Sequence, residues 1–264
     1  MRIGLVQMDM AWEDKAVNFK KAEQYIIEAK EMAVDFIVFP EMSMTGFSMH
    51  VERIGESKDN LVTRKHFASL AKEFGMYIGI GYVEDKGGRG LNRYAILSPE
   101  GETLCDYVKI HPFTFGREGE YYDGGNKIEH AQVGDFFVSP MICYDLRFPD
   151  IFQAASKKAT MFVVPASWPQ ARMEAWQIFM RARAMENQCI MVGVNRVGHD
   201  GKVPYSGESM VVDADGNIIG GPYFGEGLYT VDVSIDMVNN TRSVFSTKKD
   251  RKEHVYRIMG IEHE

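Results

Sequence analysis

The stretch Asp35–Met42, DFIVFPEM, runs four apolar residues together without polar alternation and closes on a proline. A strand of that kind is covered on both faces, and Pro40, with no N–H to give a sheet, ends it. Before it come a first strand candidate, RIGLVQMDM, and a segment from about Lys15 to Val34. In that segment Phe19, Ala22, Ile26, Ala29 and Ala33 recur at spacings of three and four, one apolar face of a helix. Strand, amphipathic helix and buried strand in that order make a βαβ unit, which commits the chain to layered α/β architecture.

The alternation continues. The pattern predicts a helix over about Val62–Phe74 and a strand pair, MYIGIGYVED and LNRYAILSPEGE, joined by the hairpin chemistry of Asp85-Lys86-Gly87-Gly88. TLCDYVKI ends at Lys109, and the Gly- and aromatic-rich HPFTFGREGEYYDGGN reads as an ordered loop of the kind that carries function. Strands KIEHAQV, DFFVSPMIC, TMFVVPAS and CIMVGVNRV follow, with helices near Arg147–Lys157 and Ala171–Asn187. SGESMVVDADG and NIIGGPY meet at an Asp215-Gly216 turn, and GLYTVDVSI precedes a charged tail, from about residue 240, of moderate helical character. Hairpins mixed with crossovers imply mixed sheets with helices outside. No internal repeat and no linker-like composition shift is seen, so residues 1–264 read as a single α/β domain.

Charge narrows the function. The formal net charge is −7 with no basic tract, which leaves neither nucleic acid nor an anionic membrane an electrostatic footing. The first apolar run is broken by Asp9, too short for a membrane span and without secretory flanks, so a cytoplasmic protein acting on small molecules is expected. Cys105, Cys143 and Cys189 are odd in number and widely spaced. Neither a disulfide framework nor a metal site is implied.

Glu41, Lys109 and Cys143 each stand at the C-terminal end of an apolar strand, where open α/β sheets place ligands. A cysteine attacks as thiolate, and at an ordinary pKa of roughly 8.5 it needs a neighbouring base or cation. Glu41 offers the base and Lys109 the cation that steadies an oxyanion. The strand-to-turn passage MICYDLRFPD offers the Tyr144 backbone N–H to the same oxyanion. On the residues alone, the commoner readings are Cys143 as a small buried filler, Glu41 as a turn cap and Lys109 as an exposed strand end. Cys105 and Cys189, inside apolar strands, read as packing residues.

Three local words in this order, VFPEMSMTGF, YVKIHPF and ICYDLRFPD, resemble the nitrilase superfamily of carbon–nitrogen hydrolases. The resemblance covers nearly the whole chain. It implies an αββα sandwich of two mixed sheets, pairing into a homodimer or higher homo-oligomer, and a Glu41–Lys109–Cys143 triad that needs no cofactor and no metal. It also implies a second glutamate in the loop after the lysine, which is Glu118, with Glu120 the rival. One departure is that relatives read His-Leu-Phe where this chain has Pro112.

Within the superfamily, CYDLRFP, SWPQAR and WQIFMRARAMENQ look most like the omega-amidases, which hydrolyse the side-chain amide of 2-oxo acids such as 2-oxoglutaramate and 2-oxosuccinamate, with water as co-substrate. Such a substrate needs a cation at its far end, and Arg172 is the candidate, with Trp168 and Phe47 as walls. Arg147 is expected to brace the turn by pairing with Asp145 or Asp150, and Arg181, Arg183 and Glu186 to serve packing and interface. The competing readings are a hydrolase of N-carbamoyl amino acids, nitriles or other small amides, an acyltransferase, and a catalytically silent binding subunit.

Overall fold

The computed structural model describes residues 1–259. In chain order the first half holds β1 (Arg2–Gln7), α1 (Lys15–Glu31), β2 (Phe36–Val38), α2 (Val51–Ile54), β3 (Glu56–Ser57), α3 (Val62–Phe74), β4 (Tyr77–Asp85), β5 (Gly90–Leu97) and β6 (Thr103–Val108). The second holds α4 (Glu118–Tyr121), β7 (Ala131–Val133), β8 (Phe136–Pro140), α5 (Pro149–Ala155), β9 (Met161–Ala166), α6 (Met173–Asn187) and β10 (Ile190–Asn195). It closes with β11 (Val197–His199), β12 (Pro204–Ser206), β13 (Ser209–Val212), β14 (Ile218–Tyr223), β15 (Gly227–Asp232), α7 (Ile235–Val244) and α8 (Glu253–Ile258).

Local chemistry sets the ends of several elements. Asp14 caps α1 by accepting the Val17 N–H, and Gly75 at φ +62° supplies the left-handed residue that stops α3. Asp85 Oδ1 accepts the N–H groups of Gly87 and Gly88, each at 2.8 Å, closing the expected β4–β5 hairpin. Asp213 likewise accepts from Asp215 and Asn217 between β13 and β14.

One sheet runs β15-β1-β2-β4-β5-β6, with short β3 beside β4, and the other runs β14-β13-β10-β9-β8-β7. Read as β6 to β15 and as β14 to β7, both give antiparallel, antiparallel, parallel, parallel, antiparallel pairings. The halves therefore share a topology that the sequence, with no visible repeat, does not announce.

The two sheets stack face to face. Phe36 and Val38 point into the inter-sheet core with Ile3, Leu5, Tyr94, Val138 and Val163. Ile37 and Phe39 point the other way, under α1 and α3, with Ala22, Ile26, Phe67 and Ile80. Both faces of β2 are dry, which is why FIVF does not alternate. Helices α5 and α6 cover the second sheet through Phe152, Trp176, Met180 and Ala184. The layers are thus helix, sheet, sheet, helix, the expected αββα sandwich. Among the described residues no helix is long and apolar enough to cross a membrane.

Three local expectations shift. The helix expected from Arg147 starts at Pro149, a first-turn proline, because Cys143–Arg147 is spent on a 3-10 turn. KIEHAQV shrinks to Ala131–Val133. The β11–β12 hairpin is an addition, since its strands are only three residues each, below the length at which alternation can be read.

Candidate active site

Glu41 lies three residues beyond β2, Lys109 directly beyond β6 and Cys143 three beyond β8, and the sandwich brings all three together. The Glu41 loop is pressed against β4: Ser43 N donates to Gly81 O and Gly81 N to Ser43 Oγ, both at 3.2 Å. A Cβ on Gly81 would lie 2.6 Å from Met42 N and 2.9 Å from Pro40 O, so only glycine permits this approach. Lys109 is pinned by its backbone, N–H to Asn92 O at 2.9 Å and C=O from Gly125 N at 2.8 Å. Gly125, in the DGGN run, is itself a close approach, since a Cβ there would meet Val108 O at 2.4 Å.

Cys143 opens its turn at φ +47°, a left-handed conformation that a side-chain-bearing residue keeps only when its surroundings over-determine it. Asp145, fully buried, does so. Its Oδ2 accepts Ile142 N at 2.9 Å and the Tyr107 hydroxyl at 2.8 Å, and its Oδ1 accepts His111 N at 3.0 Å. The cysteine turn is thereby bolted to β6 and to the segment after Lys109. From α6, Arg183 Nε donates to Leu146 O at 3.2 Å. The Tyr144 N–H precedes the first bond of the 3-10 turn, Asp145 N to Ile142 O, and finds no acceptor among the described residues.

Lys109 Nζ sits 2.8 Å from Glu41 Oε1 and 2.8 Å from Glu118 Oε2, and the three side chains are essentially inaccessible. Asn92 Nδ2 bridges the same two carboxylates, at 2.8 Å to Glu41 Oε1 and 3.1 Å to Glu118 Oε1. Phe113 N donates to Glu118 Oε2 at 2.6 Å, so the loop past Pro112 still holds this glutamate. Glu120, the rival, is exposed and paired with Arg117.

Burial disfavours the Lys109 ammonium, but the charges of Glu118 and Glu41 outweigh it and hold its pKa well above the ordinary value. Burial likewise raises Glu118, against the pull of Lys109. The Cys143 thiol is pushed well up by burial and by the Glu41 charge, opposed by Lys109 and a hydrogen bond from the Ser167 backbone. Ser167 N also donates to Glu41 Oε2 at 2.9 Å. Burial thus favours the thiol form of Cys143, beside a Glu41 side chain held through both of its oxygens.

Cys143 and Lys109 face a cavity of about 520 Å³. Phe47 and Trp168 line it, the Phe47 ring 5.2 Å from Lys109 Nζ. Arg172 lines it too, its guanidinium over Phe113 and Phe115 at 5.4 and 5.1 Å. Arg147 does not brace the turn. It lines the cavity, stacked at 5.0 Å on Trp168 and 5.3 Å on Phe179, and pairs with no carboxylate among the described residues. Asp145 is fully engaged elsewhere, and the bracing arginine is Arg183, which also pairs with Glu186 at 3.0 Å. Arg181 packs against Gly216 O. Cys105 and Cys189 are buried away from the cavity.

Sequence reasoning missed Asn92, Ser167, Asn195 and Tyr205. Asn195 holds the strand-end loop by accepting Trp168 N at 2.7 Å and donating to Trp168 O at 3.0 Å. Tyr205, on β12, lines the cavity and is anchored through its hydroxyl on Asp200 at 2.8 Å. An asparagine in LNRYAIL is one polar residue in a strand, and nothing local says that two carboxylates wait beside it.

Comparison with known proteins places this architecture. The carbon-nitrogen hydrolase family model matches residues 2–243. The chain is 30% identical to the omega-amidase YafV of Escherichia coli K12, over 83% of this chain and 84% of that one. It is 27% identical to the 2-oxoglutaramate amidase of Bacillus subtilis strain 168, over 96% and 98%. In structure it is similar to XC1258 of Xanthomonas campestris, a CN-hydrolase superfamily protein solved with an arsenic adduct in its active site. The TM-score there is 0.89, at 28% identity over 96% of this chain and 97% of the other. With its sandwich, its strand-end Glu, Lys and Cys, and a family match over most of its length, the chain belongs to the carbon-nitrogen hydrolase family of the nitrilase superfamily.

Proposed function

We propose that the protein is an omega-amidase, hydrolysing the terminal amide of small 2-oxo acid amides through Cys143, Glu41 and Lys109. The observation that carries this is a cavity whose lining includes a thiol, the Lys109 of a buried carboxylate–ammonium cluster, and two guanidinium groups, Arg147 and Arg172, that have no carboxylate partner among the described residues. A substrate with an amide at one end and a carboxylate at the other fits both. The names of the two relatives support the same reading.

Glu41 takes the Cys143 proton as Sγ attacks the amide carbon. The oxyanion forms against Lys109 and the Tyr144 N–H. The C–N bond breaks as Glu41 returns the proton to nitrogen, ammonia leaves, and a thioester remains. Water then gives a proton to Glu41 and its oxygen to the acyl carbon. The thiolate departs and recovers the proton, leaving the dicarboxylate. Glu118 fixes Lys109 and, through Phe113 N, the loop that covers it.

The test is ammonia release from 2-oxoglutaramate, 2-oxosuccinamate, an N-carbamoyl amino acid and propionamide. The wild type is expected to prefer the 2-oxo acid amides. Loss of a charged hydrogen bond is worth about 1.5–3 kcal/mol, so Arg147→Ala and Arg172→Ala should each lower kcat/KM on them by about 10- to 100-fold while sparing propionamide. Equal rates on all four amides, or a preference for the carbamoyl compound, sinks the reading.

A further inference from the structure

Asn92 takes no part in the chemical steps, yet it is buried beside the reacting groups. Its Nδ2 spends both hydrogens on carboxylates, Glu41 Oε1 and Glu118 Oε1, while its own Oδ1 is buried with no hydrogen-bond partner among the described residues. A buried amide oxygen without a donor is unfavourable. Rotating the amide would not help, because it would set Oδ1 against two carboxylates. The neighbours thus fix its orientation and leave the oxygen stranded, which marks a residue held for the site.

The wiring shows what it does there. Glu41 Oε1 accepts from both Lys109 Nζ and Asn92 Nδ2, and Glu118 uses its two oxygens for the same two donors. Among the described residues Glu41 Oε2 bonds only Ser167 N, the backbone group that also hydrogen-bonds the Cys143 thiol. Two buried carboxylates this close, with one ammonium between them, tend to share a proton, because a second like charge in a dry site disfavours ionisation of both. We propose that Asn92 is a positioning residue that insulates Glu41 from Glu118, blocking proton sharing on their inner oxygens and directing the proton to Glu41 Oε2, beside Cys143.

The inference rests on the amidase reading of the site. The charged or titratable groups that face the pair are Lys109 beyond β6, Cys143 beyond β8, and Tyr122 after α4, whose hydroxyl is on Ser48 O at 2.6 Å. Without the insulator the pair retains a proton to higher pH, and the base cannot act until that proton leaves.

Two pH profiles are measured for the wild type, Asn92→Leu and Asn92→Ser: kcat/KM on the preferred amide, and the rate at which iodoacetamide alkylates Cys143, with Cys143→Ala as blank. The acid limb of both is expected to move up by about one pH unit or more in Asn92→Leu, with Asn92→Ser, which keeps one donor, in between. Activity lost on the acid side returns in part as the pH is raised. Profiles that fall in height but keep the wild-type limb make Asn92 a packing residue and overturn the proposal. If Asn92→Leu does not fold, Asn92→Ser carries the same test. If the wild type hydrolyses no amide, the alkylation limb still decides the role of Asn92, and the amidase reading fails on its own.

Discussion

Lys109→Met keeps most of the length of the side chain and removes the charge between Glu41 and Glu118. In the wild type that charge makes a 2.8 Å ion pair with each carboxylate, in a region closed to water. Removing one partner of such a pair costs about 3–5 kcal/mol, because the remaining charge stays buried without compensation. For a domain of this size about 1 kcal/mol moves Tm by roughly 2–4 °C, so a fall of about 6–20 °C is expected at pH 8. The sign with pH follows by linkage. Glu118 is already raised by burial against the pull of Lys109, and without that pull it binds its proton still more tightly than in the unfolded chain, where a glutamate titrates near 4.3. The variant is therefore helped by protonation, and its deficit shrinks as pH falls toward 5. Calorimetric unfolding of both proteins at pH 5 and pH 8 measures this. Adding Glu118→Gln to Lys109→Met should restore part of the stability, since the two sites couple. A deficit under 2 °C, or one that grows on acidification, would refute the buried-cluster argument.

Two further outcomes are expected. Gly81→Ala places a Cβ 2.6 Å from Met42 N, against backbone that cannot step aside. It should cost about 1–3 kcal/mol by denaturant unfolding and lower kcat more than it raises KM, because the displaced segment carries Glu41; wild-type kcat in a stable Gly81→Ala protein contradicts this. Wild-type protein quenched in acid during turnover should carry an acyl adduct by intact-mass spectrometry, absent from Cys143→Ala. An adduct that persists in that variant moves the nucleophile elsewhere.

The sequence can be read wherever the controlling interactions lie within a few residues. The spacing of Phe19, Ala22, Ile26 and Ala29 shows α1, Gly75 shows where α3 stops, and Asp85 with two glycines shows a hairpin. The failures share a cause. Arg147 stands close to two acids in the chain, which suggests a local pairing, but Asp145 is claimed by Tyr107 and His111, which lie 38 and 34 residues away. Asn92 resembles any polar residue in a strand because its acceptors, Glu41 and Glu118, are 51 and 26 positions distant.

The sequence by itself determined the longer strands and helices, and that Glu41, Lys109 and Cys143 stand at strand ends, because both follow from local periodicity and from prolines and glycines acting on their own backbone. Only the tertiary structure decided what those residues meet. Stacking two sheets removes water from Glu41, Lys109 and Glu118 together, and in that dry space each charge must find its partner by proximity. That is how Asn92 and Ser167, inconspicuous in the chain, come to hold Glu41, and Arg147 to line the cavity that Cys143 faces.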